Sequence, residues 1–213
     1  MKIVYIGIFQ TLNPTAEGYR MARESHLKGT VNYFAQNNVI QLMTVACAAA
    51  AKSGKIQQGK KVKVEGDEQL ADYTLYFRAR SEGIVAGLIT DKEYPERVAF
   101  ALLDKTAGDF CDRYPRSAFA NMPATGKDDP DPFPLPELKT YITQYQDPAS
   151  ADTITKIQNE LEETKAVLYK SIDAALERGE KMDNLVNKSE QVSATSKLFY
   201  TQAKKQNSCC VVM

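Results

Sequence analysis

The sequence predicts an α+β domain followed by a C-terminal coiled-coil helix, and three observations carry this prediction. Between residues 1 and 114, short apolar runs with strand composition alternate with two helical stripes. At residues 124–136, the run ATGKDDPDPFPLP interrupts regular structure. From residue 152 to about residue 206 there is no proline and only one glycine, and seam residues recur every 3.5 positions on average, as in a coiled coil.

The first elements are two strands and a helix. Residues 3–9 are a nearly unbroken apolar run rich in β-branched and aromatic side chains, which predicts a central strand. A more polar stretch at residues 19–26 is the expected edge neighbour. An amphipathic helix that ends at Gly54 follows, because apolar residues recur at spacings of three and four: Val39, Leu42, Met43, Ala46, Cys47 and Ala50. Cys47 lies on that stripe, so we expect it to be a buried small hydrophobe.

An antiparallel meander comes next. Residues 61–65, 73–79 and 84–90 have strand composition, and Gly83 suits the tight hairpin between the last two. Pro95 suits the first turn of a second helix, where its missing N–H costs nothing. That helix has one apolar stripe, formed by Phe100, Leu103, Ala107, Phe110 and Tyr114.

The composition divides the chain into four parts. We predict a compact domain at residues 1–123 and a linker at residues 124–150, which contains a short helix near residues 135–145. Residues 151–207 form the coiled-coil segment, and residues 208–213 form a tail.

The coiled-coil seam starts at Ile154 and steps alternately by three and four residues. Its members are Ile154, Ile157, Leu161, Thr164, Leu168, Ser171, Ala175, Arg178, Met182, Leu185, Ser189, Val192, Ser196, Phe199, Ala203 and Gln206. Several of them are small or polar, so a two-stranded zipper would be poorly stabilised. A bundle in which more helices share each layer accommodates such residues more easily.

Arg178 is the one charged member of the seam. A guanidinium inside a coiled coil loses several kcal/mol of solvation unless other helices supply acceptors for its five N–H donors. One interpretation is that Arg178 fixes the register of a bundle through polar side chains of partner helices. The other is that Arg178 snorkels from an exposed position and the register is accidental.

Composition excludes several classes of protein. The 27 basic and 27 acidic residues balance, so the chain lacks the charge of a nucleic-acid binder. The longest strongly apolar stretch, residues 42–51, is half of the ~20 residues that a membrane span needs. Four cysteines without a secretion signal do not indicate a disulfide framework, so a cytosolic setting is predicted.

Catalytic patterns do not occur either. The single histidine, His26, lies in a polar segment, and no glycine-rich loop with Lys-Ser/Thr follows a strand. Cys111 has no basic neighbour except Arg113, so we interpret it as structural. We therefore predict that the chain is not an enzyme and uses no metal or dissociable cofactor.

The segment ELEETKAVLYKSIDAALERGEKMDNLV resembles the SNARE motif of the R type. The runs LITDKEYPERVA, YITQYQDP and SKLFYTQAKKQNSCC are similar to lipid-anchored, longin-domain R-SNAREs of the Ykt class. This resemblance implies a longin, profilin-like fold for the N-terminal domain. It also implies that Arg178 forms the central ionic layer with three glutamines, one from each of three Q-SNARE helices, and that the other seam residues form the remaining layers.

The chain ends in CVVM, which matches a C-a-a-X box with a methionine that favours farnesylation of Cys210. A single lipid gives marginal membrane binding, and Cys209 can provide a second. The resemblance implies a prenyl group on Cys210 and a palmitoyl or second prenyl (geranylgeranyl) group on Cys209. Lys204 and Lys205 add a modest attraction to anionic lipid.

Together, these features predict a protein that drives intracellular membrane fusion through bundle assembly next to its membrane anchor. The longin domain is expected to fold back over the apolar seam, which would otherwise be an aggregation hazard. The resemblance implies the cytosol and the cytoplasmic face of Golgi, endosomal, vacuolar and vesicle membranes. The alternative is a lipid-anchored coiled-coil tether that does not fuse membranes.

Overall fold

A computed structural model describes residues 2–13, 19–27, 32–66, 72–148 and 166–209 of the chain. The first elements are β1 (Ile3–Gln10), β2 (Arg20–Ser25), α1 (Tyr33–Lys52), β3 (Lys61–Glu65), β4 (Tyr73–Arg80) and β5 (Ile84–Asp91). They are followed by α2 (Glu96–Arg113), α3 (Arg116–Phe119) and α4 (Glu137–Gln144). The C-terminal segment contains β6 (Val167–Tyr169), α5 (Ile172–Ala175), α6 (Met182–Lys188) and α7 (Ala194–Cys209).

The strands form one sheet in the order β2-β1-β5-β4-β3-β6, in which every pair is antiparallel except β3 and β6. All eight residues of β1 are buried, as expected of a central strand. The predicted edge neighbour, the meander and both helices are confirmed, and so is the α+β class. Gly83 has a φ of 88° in the β4–β5 hairpin, a conformation that favours glycine.

Helices cover both faces of the sheet. Side chains alternate along β1, so Ile6 and Ile8 face α2 and α4, whereas Tyr5 and Phe9 face α1. The predicted stripe of α2 packs against the first face, where Phe110 is fully buried among other aromatic rings. Cys47 of α1 is fully buried on the second face, as predicted.

The run at residues 124–136 is irregular, and it packs against the edge strand β2. Arg20 is almost fully buried there, and its Nε atom donates to the Asp131 carboxylate at 2.7 Å. Its Nη2 atom donates to the Asp129 carbonyl oxygen at 2.7 Å. The ring of Phe133 lies beside Phe110, and α4 follows at the position predicted for a short helix. Residues of this run and of α4 therefore extend the core beyond residue 123.

Candidate functional site

The C-terminal segment does not form one continuous helix over its described residues, 166–209. A three-residue strand and three helices wrap around the second face of the N-terminal domain instead. The physical reason is that each piece buries its own apolar residues against the domain, which a single straight helix could not follow. We call this arrangement the closed form.

Strand β6 adds to the sheet at its β3 edge. Val167, Leu168 and Tyr169 pair in parallel with Val62, Lys63 and Val64. The strand is short, and Val167 and Leu168 remain 38% and 50% exposed. The seam residue Leu168 is therefore more exposed than a layer of a completed bundle would be.

Helix α5 attaches the next part of the segment. Its N-cap is the seam residue Ser171, whose hydroxyl accepts a hydrogen bond from the Ala174 amide at 3.1 Å. Ile172 and the seam residue Ala175 are buried against the domain. The Lys55 ammonium, which follows α1, donates to the Ala174 carbonyl oxygen at 2.6 Å.

A tight turn at residues 177–180 separates α5 from α6. The Glu180 amide donates to the Glu177 carbonyl oxygen at 3.0 Å, and Gly179 has a φ of 91°. Arg178 lies at the tip of this turn with its side chain exposed. The Met182 amide then donates to the Asp173 carboxylate at 2.8 Å, which holds the two sides of the turn together.

Helix α6 buries the seam residue Met182 together with Val186, while the seam residue Leu185 is half-buried. Its Asp183 carboxylate accepts hydrogen bonds from the Lys204 ammonium and, at 2.9 Å, from the Tyr200 hydroxyl. These donors, Lys204 first, hold the pKa of Asp183 below its ordinary value despite partial burial, which acts in the opposite direction. The contacts join α6 to α7.

A cluster of polar residues joins α7 to α1. The Ser196 hydroxyl is fully buried, and its single proton is shared between Gln41 Oε1 at 2.8 Å and Asn38 Oδ1 at 3.0 Å. The Ser193 amide also donates to Gln41 Oε1, at 2.9 Å. We call these four residues the polar latch. Asn38 and Gln41 were not among the residues predicted from the sequence, because no local pattern separates them from ordinary polar residues of a helix.

The seam residues thus have unequal environments in the closed form. Those that are buried are Ala175, Met182, Ser189, Val192 and Ser196. Ser171, Leu185, Phe199 and Ala203 are half-buried, and Arg178 is exposed. Four predicted layer residues (Ile154, Ile157, Leu161 and Thr164) and the predicted lipid site Cys210 lie outside the described residues. The side chains of Gln206 and Cys209 are outside the description as well.

The N-terminal domain has two cysteines, and neither has the environment of a nucleophile. Burial raises the pKa of the Cys47 thiol far above its ordinary value, and it also raises the pKa of Cys111. His26 is half-buried at the end of β2. None of the helices within the described ranges is long and apolar enough to cross a membrane.

Comparison with known proteins finds a family model for the N-terminal domain and another for the C-terminal segment. The family model of a regulated-SNARE-like longin domain matches residues 27–142, and the synaptobrevin family model matches residues 153–211. Proteins called synaptobrevin homolog YKT6 from Candida glabrata and Saccharomyces cerevisiae are 43% and 42% identical, over the full length of both chains in each comparison. The Schizosaccharomyces pombe homologue is 43% identical over 68% of this chain and 71% of its own.

A longin domain joined to a synaptobrevin-type segment is the arrangement of a longin-domain R-SNARE. The chain belongs to the Ykt class of this family. It is therefore a non-enzymatic R-SNARE of membrane trafficking, as the sequence predicted.

Proposed function

We propose that this chain assembles with three Q-SNARE helices into a four-helix bundle and so drives fusion of intracellular membranes. The observation that carries the proposal is the burial pattern of the segment. Five of its seam residues are buried in the closed form, although they lie in three separate helices and in the connection between α6 and α7. On one continuous helix the same residues would share a single face, which is the face that a bundle needs.

The closed form supports a further part of the proposal, which is that the longin domain inhibits assembly. Met182, Val192 and Ser196 cannot pack on the longin domain and on partner helices at the same time. Assembly must therefore displace these side chains from the domain, and the free energy of that displacement slows assembly. Arg178 stays exposed, so the central layer residue is accessible before the segment opens.

The membrane attachment that we propose is covalent. Cys210 would carry a farnesyl group, and Cys209 would carry a palmitoyl or geranylgeranyl group, because one lipid alone binds marginally. Lys204 and Lys205 would add a weak attraction to anionic headgroups. We place the protein in the cytosol and on the cytoplasmic faces of Golgi, endosomal, vacuolar and vesicle membranes.

The test of assembly mixes the unlipidated chain with three glutamine-bearing SNARE helices and follows helicity and thermal unfolding. We expect one cooperative complex with one copy of each helix. Arg178→Leu should change its Tm or register, because the partner glutamines lose the cation that pairs with them. Lys188→Leu is the matched control, since it removes an exposed cation outside the seam.

Self-association that does not respond to Arg178→Leu would support the tether and contradict the fusion proposal. For the anchor, Cys210→Ser should reduce vesicle binding of the lipidated protein to the marginal level of a single lipid, whereas Cys111→Ser should leave it unchanged. Equal binding of both variants would contradict lipidation at Cys210.

A further inference from the structure

Gly179 occupies a special place in the segment. It is the one glycine between residues 152 and 206, and it directly follows the exposed Arg178. Seven predicted seam positions precede Arg178 and eight follow it, so the turn at residues 177–180 divides the seam almost at its middle. Helix α5 ends before this turn and helix α6 begins after it.

The backbone of Gly179 differs between the two states of the proposed cycle. In the closed form its φ is 91°, and the Glu177–Glu180 hydrogen bond closes the turn around it. A positive φ at the third residue of such a turn is typical of type II turns and favours glycine. In a continuous helix the same residue needs a φ near −63°. A helix can pass through the central layer only when Gly179 leaves its positive φ and the extended backbones of Leu176 and Lys181, on either side of the turn, also become helical.

We propose that Gly179 is the conformational hinge that sets the balance between the closed form and the bundle-forming helix. This inference rests on the proposed function, because it presupposes that exchange. Glycine favours the closed form in two ways. It adopts the positive φ without strain, and it is a poor residue in the interior of a helix.

Replacement by alanine should reverse both preferences. A Cβ atom at Gly179 would meet nothing within 4 Å, so the effect comes from the backbone and not from a clash. The left-handed conformation costs alanine about 5- to 30-fold in population, and its better helix propensity adds about fourfold to fivefold. The ratio of open to closed chains should rise roughly 20- to 150-fold.

Two other glycines provide matched controls, one for the strain of alanine at a positive φ and one for its gain in helix propensity. Gly59 has a φ of 74° and open space around it, but it lies before β3 and outside the segment. Gly59→Ala therefore introduces similar backbone strain without affecting the hinge. Gly108 lies inside α2 and also has open space around it. Gly108→Ala therefore raises helix propensity in a helix that is expected to be the same in the closed and open chains.

The experiment uses the full unlipidated chain with an energy-transfer pair at Glu93 and Gln202, both exposed in the closed form. The same variants are then mixed with three glutamine-bearing helices to measure the assembly rate. We expect Gly179→Ala to lower energy transfer and raise the rate by about 20- to 150-fold. Gly179→Asn should stay within about fivefold of wild type, because asparagine tolerates a positive φ and is a weaker helix former than alanine.

Gly59→Ala and Gly108→Ala should match wild type in both measurements. A closed wild-type chain with an equally closed Gly179→Ala variant would overturn the hinge and leave the proposed function intact. A rate increase in Gly59→Ala as large as in Gly179→Ala would also overturn the hinge, because general destabilisation would then explain both. Wild-type chains that are already open would contradict the closed form itself, and the hinge with it.

Discussion

Two strands of the β-sheet, the interior strand β1 and the edge strand β6, are built very differently. Strand β1 has eight buried residues and hydrogen-bonded neighbours on both sides. Strand β6 has three residues, one neighbour and two apolar side chains that remain largely exposed. Strand β1 belongs to a core that helices cover on both faces. Strand β6 belongs to the C-terminal segment, which in our proposal also forms a bundle with partner helices. The difference shows that one chain can combine a permanent scaffold with a part that is able to leave it.

The largest loss of stability in the N-terminal domain should follow loss of the ion pair between Arg20 and Asp131, at the β2 edge of the sheet. Arg20→Met leaves Asp131 partly buried without its cation, and breaking a buried pair costs about 3–5 kcal/mol. Urea unfolding should show a fall of that size in the free energy of unfolding. Arg113→Met is the control, because the side chains of Arg113 and its partner Glu137 are 39% and 37% exposed, and it should change stability little. Equal effects of the two variants would contradict the structural role of Arg20.

The C-terminal segment should detach from the N-terminal domain, without unfolding of the domain, when the buried side chain of Met182 is shortened. Met182→Ala removes a buried side chain from the contact with the domain, a change that typically costs about 2–5 kcal/mol. We expect reduced energy transfer between the segment and the domain at an unchanged unfolding midpoint of the domain. Leu198→Ala, at a side chain that is 64% exposed, should affect neither measurement. If Met182→Ala lowered both the energy transfer and the unfolding midpoint of the domain, the segment and the domain would be one cooperative unit, which would contradict this prediction.

A smaller effect is expected at the polar latch. Gln41→Leu removes the acceptor of the Ser193 amide and one acceptor of the Ser196 hydroxyl, at a cost of about 1–3 kcal/mol. Hydrogen exchange of the Ser193 amide should become faster, while amides of β1 keep their protection. Gln58→Leu, at an exposed position, is the matched control. Unchanged exchange at Ser193 would show that the latch does not hold the closed form.

The smallest expected effect is a pH dependence of the α6–α7 contact. The pKa of Asp183 is lowered by Lys204 and Tyr200, so its contribution to the closed form is fully present above the ordinary carboxyl pKa of about 3.9. That contribution is lost as the pH falls through the lowered pKa. Acid titration of the energy-transfer signal should therefore show a step that is missing in Asp183→Asn. Identical titrations of the wild type and Asp183→Asn would show that Asp183 does not stabilise the closed form.

The sequence predicted the scaffold well because its signals are local. The apolar run of β1, the stripe of α2 and the turn at Gly83 each specify their own structure over a few residues. The broken form of the C-terminal segment was not predictable in this way. Its seam residues can be buried by partner helices or by the domain, and a periodic pattern does not distinguish these surfaces.

The residues that the sequence did not reveal are those whose partners are distant. Arg20 and Asp131 are separated by 111 residues, and Gln41 is 155 residues from Ser196. No spacing rule connects such pairs, and only the fold brings them together. The predicted role of Arg178 in an ionic layer and the lipid sites stay predictions, since they concern partners and modifications beyond the chain itself.

The most direct test of the central claim asks whether packing of the C-terminal segment on the longin domain excludes its packing in the four-helix bundle. Energy transfer between Glu93 and Gln202 would be recorded in the full chain while three glutamine-bearing helices are added. We predict that energy transfer falls in step with the rise in helicity, because each assembled chain must release Met182, Val192 and Ser196 from the domain. A complete four-helix complex that keeps the energy transfer of the closed form would contradict the claim.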